Sequence, residues 1–240
     1  MVNTAPSGGT FYGLGIGPGD PELITLKALA ILKAAPVIAY PAPENGESLT
    51  RAIAAPHLPG GQIEIPVPTP IVAERFPPRA AYDRAAGEIA AHLREGRDVA
   101  WLSEGDPLFY GSFLYLHARL AEAHRVEVVP GVCSLHACAA AAGRPLVARS
   151  QALTVVPAPL SEAELERRLH GAEAAAVVKV GRHLGKVRRV LGRLGLAEAA
   201  VYVERATLAA ERVLPLAAVA GDEAPYFSMI LIAGEGEEVR

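Results

Sequence analysis

From residue 10 onward, short apolar runs rich in Val, Ile and Leu alternate with longer stretches whose apolar positions recur at helical spacing. Residues 10–16 are followed by a helical period over 23–35, residues 37–40 by one over 48–55, and residues 63–67 by one over 79–95. The same pairing repeats at 99–102 with 112–123, and at 126–129 with 134–142. Such alternation predicts βα units and a mainly parallel sheet. The proline-studded stretch 58–78 (LPGGQIEIPVPTPIVAERFPP) reads as a short strand with a long loop, and long loops often line sites.

The pattern restarts after Gly143, with a strand over 153–157, a helix over 162–169, a strand over 174–180 and a helix over 186–194. Strands near Val201, Val213 and Met229 follow without helical spacers, which predicts antiparallel pairing. The expectation is an α/β protein of two domains, 1–146 with a mainly parallel sheet and 147–240 with a mixed one. A cleft between two such domains is a common place for a small-molecule site.

Composition adjusts this picture only slightly. The chain has 240 residues, 51% hydrophobic but only 5% aromatic, which suits Ala-rich helices packed on sheets. No run approaches the roughly 20 apolar residues of a membrane span, and the start MVNTAPSGGT lacks signal-peptide features, so a cytoplasmic location is expected. A net charge of −3 argues against a general nucleic-acid footprint. Cys133 and Cys138 fit neither a redox pair nor a metal knuckle and read as small buried residues; the scattered histidines predict no metal site.

Candidate chemistry sits at the ends of the predicted strands. The run GLGIGPGD at 13–20 is neither a dinucleotide fingerprint nor a P-loop: Pro18 and Asp20 fall where a third glycine would be required, and no Gly-Lys-Ser/Thr opens the helix. Its glycines permit a sharp turn and close backbone approach, with Asp20 or Thr25 as helix cap and Pro21 in the first turn. SEGDPLFYG at 103–111 brings Glu104 and Asp106, which either bind hydroxyls or an amine or cap the next helix. PGVCS at 130–134, with Ser134 available as a cap, KVGRH at 179–183 and VERAT at 203–207 complete the set.

Taken together, GLGIGPGDPELITLKAL, SEGDPLFYGS, VVPGVCS and VERAT resemble the tetrapyrrole methyltransferase superfamily. Within it, EGDPLFYGSF, KVGRHLGKVRRVL, YVERAT and PYFSMILIAG are similar to the branch that methylates C20 of precorrin-2 in cobalamin biosynthesis, giving precorrin-3A. The resemblance implies S-adenosylmethionine bound in a cleft between the two domains, contacted by Pro18, Glu104, Gly105, Asp106, Phe109, Cys133, Ser134, Val180 and Ala206. Cys133 stands where relatives often carry serine or threonine, and Ala206 where distant ones carry glycine. The resemblance also implies a homodimer.

A polycarboxylate acceptor calls for cations, and residues 179–193 supply a run of them. Lys186, Arg189 and Arg193 share one side of a predicted helix and read as a solvated face. Arg182, His183 and Arg205, at strand-end turns, are the expected substrate contacts, because a guanidinium fork matches a carboxylate. No nucleophile-base pair is legible, which suits methyl transfer, and no catalytic base is assigned. Alternatives are the cobalt-loaded substrate, an RNA or protein methyltransferase of the same superfamily, and a non-enzymatic nucleotide-binding module. An RNA enzyme would add a basic surface with exposed aromatics, and the chain has only one Trp, seven Tyr and five Phe.

Overall fold

In a computed structural model of the protein the residues described are 8–43, 47–69 and 79–233. Residues 70–78 of the expected long loop and 1–7 of the N-terminal stretch lie outside them. The chain divides into two compact units, Met1–Cys133 and Ser134–Arg240.

The first unit holds β1 (Phe11–Gly15), α1 (Leu26–Ala34), β2 (Val37–Ala42), α2 (Leu49–Ala54), β3 (Ile63–Pro68), α3 (Arg79–Arg94), β4 (Val99–Ser103), α4 (Phe113–Leu120) and β5 (Val126–Val129). Its strands form a five-stranded sheet in the order β3-β2-β4-β1-β5. Every pairing is parallel, as the βα alternation predicts. The inner strands β1, β2 and β4 are covered on both faces and are almost wholly apolar, whereas the edge strand β3 alternates between exposed and buried positions. Phe11, Val99 and Trp101 pack with Phe113, Leu116 and Ile89 on one face, while Leu14, Ala100 and Leu102 pack with Ala28, Leu32 and Ile53 on the other. Burying each large side chain contributes about 1.5–3 kcal/mol.

Both proposed caps exist, on different elements. The Asp20 carboxylate accepts the Glu22 N–H at 2.8 Å in a short 3-10 turn over Pro21–Leu23, and Thr25 Oγ1 accepts the Ala28 N–H at 3.3 Å to start α1. That turn absorbs the first residues of the expected 23–35 helix, because Pro21 and the extended backbone at Ile24 and Thr25 separate it from α1.

The second unit contains α5 (Ser134–Ala142), β6 (Leu153–Pro157), α6 (Glu162–Leu169), β7 (Ala174–Val178), α7 (Leu184–Arg193), β8 (Ala200–Glu204), β9 (Arg212–Pro215) and β10 (Ser228–Ile232). Its sheet runs β6-β7-β10-β8-β9, with β6 and β7 parallel and β10 antiparallel to both β7 and β8. The late strands pair antiparallel as their lack of helical spacers predicts, including β8 with β9. The helix α5 packs against β8 and β10, so it belongs to this unit, and the division falls ahead of the expected junction at 146/147.

Helices α6 and α7 bury Leu165, Leu169, Val187, Val190 and Leu191 against Val177, Tyr202 and Ile230. Their outer faces are joined by ion pairs: Arg189 and Arg193 both reach Glu162, and Arg193 also reaches Glu166. The face expected to be merely solvated is therefore a helix-to-helix seam. Lys186 departs from it, donating its Nζ to the Leu160 carbonyl at 2.6 Å.

Candidate functional site

In the first unit β1 lies between β4 and β5, so the turns that follow these three strands meet at the carboxyl edge of the sheet. Open parallel sheets bind ligands at that edge. The β1 and β4 turns are joined by a bridge between Gly17 and Gly105, in which Gly105 N–H donates to the Gly17 carbonyl at 2.8 Å. Pro18 follows directly and is buried. The glycines are there for contact between turns. A Cβ on Gly131 would lie 2.1 Å from the Gly105 carbonyl oxygen, and one on Gly15 would lie 2.4 Å from the Gly131 nitrogen.

Asp106 clamps the same junction. One carboxylate oxygen accepts the Leu108 N–H at 2.9 Å, shaping its own turn, and the other accepts the Gly131 N–H of the β5 turn at 3.1 Å. Glu104 points elsewhere: it accepts a short hydrogen bond from Thr50 Oγ1 of α2. Burial holds the Glu104 carboxyl above its ordinary value of 4.5, opposed by the hydrogen bonds from Thr50 and from its own backbone. Neither acid caps α4, which begins beyond both at Phe113. Phe109 is half-buried and packs edge-on against Tyr110, ring centroids 4.9 Å apart.

At the end of the β5 turn Cys133 is half-buried rather than fully buried, while Cys138 is buried as expected. Ser134 is the exposed first residue of α5 rather than a residue preceding it.

In the second unit β7 and β8 run the same way on either side of β10, so Lys179–His183 and Arg205–Thr207 reach one edge of that sheet. Ala206 is buried at 8% exposure, and the Val180 side chain is wholly buried in the hydrophobic core. Val180 therefore has only its main chain to offer a ligand, and its carbonyl already accepts the His183 N–H at 2.7 Å. Lys179, Arg205 and Thr207 hold positive φ values of 57°, 50° and 69°, as Tyr110 does at 56° beside the β4 turn. Left-handed backbone at non-glycine residues costs about 1–3 kcal/mol each and clusters at ligand sites.

The expected substrate contacts divide. Arg182 is exposed on a 3-10 turn over Gly181–His183. His183 is half-buried, and desolvation, then the charges of Lys186 and Arg182, hold its imidazole below 6.5. At neutral pH it offers hydrogen bonds and no charge. Arg205 reaches the buried Glu204 at 3.4 Å, and its N–H donates to the Phe227 carbonyl at 2.8 Å.

Sequence reading missed several participants. Thr50 lies far from Glu104 in sequence, and only the adjacency of β2 and β4 brings α2 to the β4 turn. Arg212 comes opposite Glu204 through the β8–β9 register. Tyr226 and Phe227, 54% and 36% exposed, stack edge-on just before β10. A surface groove of about 550 Å³ along α5, lined by His136, Arg144 and Val147 among others, contains none of the residues singled out. Among the described residues no three His, Cys, Asp or Glu side chains are grouped to hold a metal, and no helix is long and apolar enough to cross a membrane.

Relatives share this architecture across nearly the whole chain. The chain is 45% identical over 234 residues to a precorrin-2 C(20)-methyltransferase of Sinorhizobium sp, covering 94% of this chain and 96% of that one. It is 46% identical to the cobalamin biosynthesis protein CobIJ of Mycobacterium tuberculosis, of which it spans only 46%. A cobalt-precorrin-2 C(20)-methyltransferase of Salmonella typhimurium is 31% identical over 95% of this chain and 98% of its own length. Among solved structures, uroporphyrin-III C-methyl transferase from Thermus thermophilus, complexed with S-adenyl homocysteine, superposes with a TM-score of 0.67 at 26% identity, covering 94% of this chain and 92% of that one. The family model of the tetrapyrrole (corrin/porphyrin) methylases matches residues 10–220, a span that takes in both sheet edges, and the chain belongs to that family.

Proposed function

We propose that this protein transfers a methyl group from S-adenosylmethionine to C20 of precorrin-2, a step of cobalamin biosynthesis. The observation that carries this reading is the 45% identity to the Sinorhizobium precorrin-2 C(20)-methyltransferase, which extends over almost the full length of both chains. Identity to the cobalt-precorrin-2 enzyme is lower, at 31%, which favours the metal-free substrate.

The chemistry of the first edge suits this donor. Its turns (16–20, 104–111 and 130–134) contain no Lys or Arg and carry Glu104 and Asp106. Such a lining rejects phosphates and tolerates a sulfonium cation. When bound, the donor supplies an electrophilic methyl group. The protein's part is to fix that donor against the acceptor and exclude water, so no nucleophile or acid-base pair is required. In this reading Pro18, Glu104, Gly105, Asp106, Phe109, Cys133 and Ser134, with the main chain at Val180 and Ala206, hold the cofactor. Asp106 acts by holding the β4 and β5 turns together, since both its oxygens accept backbone N–H groups. Arg182, His183 and Arg205 meet the acceptor.

The test is mass spectrometry of the product formed from precorrin-2 and a methyl donor labelled with carbon-13. One labelled methyl group at C20 is expected. No methylated macrocycle, or methylation at another carbon, overturns the reading, and faster turnover of the cobalt-loaded substrate reassigns the route. Resemblance to the superfamily further leads us to propose a homodimer, which sedimentation of the purified protein tests; the cytoplasmic location expected from the sequence is tested by fractionation of cells.

A further inference from the structure

Four arginines of the second unit stabilise its helices. Arg167, Arg168, Arg189 and Arg193 pair with Glu162, Glu164 and Glu166 on α6, whose side chains are 30–42% exposed. Glu204 is of another kind. Its side chain is 4% exposed, yet the arginines that meet it, Arg205 and Arg212, are 41% and 60% exposed.

Both guanidiniums approach the same Glu204 oxygen, Oε1, through one terminal nitrogen each at 3.4 Å. The other oxygen, Oε2, accepts the Tyr202 hydroxyl at 2.5 Å. Burial, then the bond to Glu204, keeps the Tyr202 phenol above its usual range, so it remains a donor. An arginine has five N–H donors, and among the described residues neither guanidinium has another side-chain partner. One buried acid thus holds two partly exposed cations side by side, with net positive charge.

Register explains the arrangement. Glu204 pairs with Arg212 across β8 and β9, and β9 is the edge strand, so Arg212 stands at the open side of the sheet. Arg205 is fixed from the other direction by its left-handed backbone and its bond to Phe227. The exposed Tyr226–Phe227 pair adjoins it. A buried carboxylate is a poor way to gain stability, because desolvation offsets much of the attraction to its partners. It is an effective way to hold two forks apart at one spacing.

We propose that Arg212 joins Arg205 in a paired-guanidinium receptor for a carboxylate side chain of the tetrapyrrole, with Glu204 as the positioning residue. The aromatic pair offers an apolar flank for the macrocycle. This inference rests on the tetrapyrrole substrate proposed above.

The experiment measures binding of uroporphyrin III, a stable tetrapyrrole with a carboxylate on every side chain, by fluorescence titration, together with KM and kcat for precorrin-2. Arg212→Ala should raise the dissociation constant and KM about tenfold, in line with loss of a charge-assisted bond, with kcat and S-adenosylhomocysteine affinity nearly unchanged. Arg212→Lys should recover only part of the loss, since an ammonium lacks the fork. Glu204→Gln separates positioning from mere charge. It makes the edge more positive, so a diffuse field predicts tighter binding, whereas the receptor predicts weaker binding. Tighter binding, or an Arg212→Ala protein with wild-type affinity and an unchanged melting temperature, overturns the receptor. Arg189→Ala controls for the general field and should bind as wild type; a loss equal to that of Arg212→Ala also overturns it. Failure of the wild-type protein to bind uroporphyrin III or methylate precorrin-2 would instead strike the proposed function itself.

Discussion

The Asp106 carboxylate accepts the Gly131 N–H at 3.1 Å, tying the turn after β4 to the turn after β5 across 25 residues of sequence. Its other oxygen is occupied by Leu108. Asp106→Ala should therefore loosen a junction rather than delete a ligand contact. The expected result is weaker S-adenosylhomocysteine binding by about 1.5–3 kcal/mol in calorimetry, accompanied by a lowered melting temperature. Weakened binding with no change in melting temperature would point instead to direct contact, and unchanged binding would remove Asp106 from the site.

Gly131 offers a complementary perturbation. An added Cβ would overlap the Gly105 carbonyl at 2.1 Å, with Gly15 main-chain atoms as the next obstruction at 2.7 Å. Backbone on both sides cannot move aside as a flexible side chain would. Gly131→Ala should destabilise the first unit by about 1–3 kcal/mol and reduce cofactor affinity with it. Gly87→Ala, on α3 with open space around its Cβ, should instead be neutral or slightly stabilising. Equal denaturation midpoints for the two variants would show that the turns separate freely.

These contrasts mark how far the sequence could be read. Strand and helix periods located the parallel sheet, the antiparallel pairing of the late strands, and the strand-end turns after β1, β4, β5, β7 and β8. They could not locate Thr50 beside Glu104, or Arg212 beside Glu204, because each contact depends on strand order or register, and neither leaves a local periodicity. The glycines of 13–20 were legible as a close approach, but their partner, Gly131, became visible only in three dimensions. Residue type makes Ser134 available as a cap, whereas the helix begins on it. Residue type suggested His183 as a substrate contact, and its surroundings determine that it acts uncharged at neutral pH.

That property of His183 has a measurable sign. Its folded-state pKa lies below 6.5, chiefly through desolvation, so the native protein binds this proton less readily than the unfolded chain. Its contribution to stability is present above 6.5 and is lost as pH falls through the folded value. His183→Gln should flatten the acid side of the stability profile near neutrality. If wild type and variant lose stability in parallel between about pH 7 and about pH 5, His183 is not the group responsible.

Glu104 behaves in the opposite sense. Burial raises its pKa above 4.5, against the hydrogen bond donated by Thr50 and the one from its own backbone. The native state therefore holds this proton more tightly than the unfolded chain does. The associated stability is fully present below 4.5 and is lost as pH rises through the folded value, beyond which the fold carries a desolvated carboxylate. Glu104→Gln keeps an oxygen to accept the Thr50 hydroxyl while removing the titration. Relative to wild type, this variant should gain stability as pH rises above 4.5 and reach a plateau once wild-type Glu104 is ionised. Thr50→Val should act the other way, because without its hydroxyl the carboxylate loses a stabilising donor and the folded pKa climbs further. Urea denaturation at intervals from about pH 4 to about pH 8 reads both variants. A constant offset between Glu104→Gln and wild type across that range would mean that Glu104 binds its proton equally in the folded and unfolded chain, so that burial does not raise its pKa.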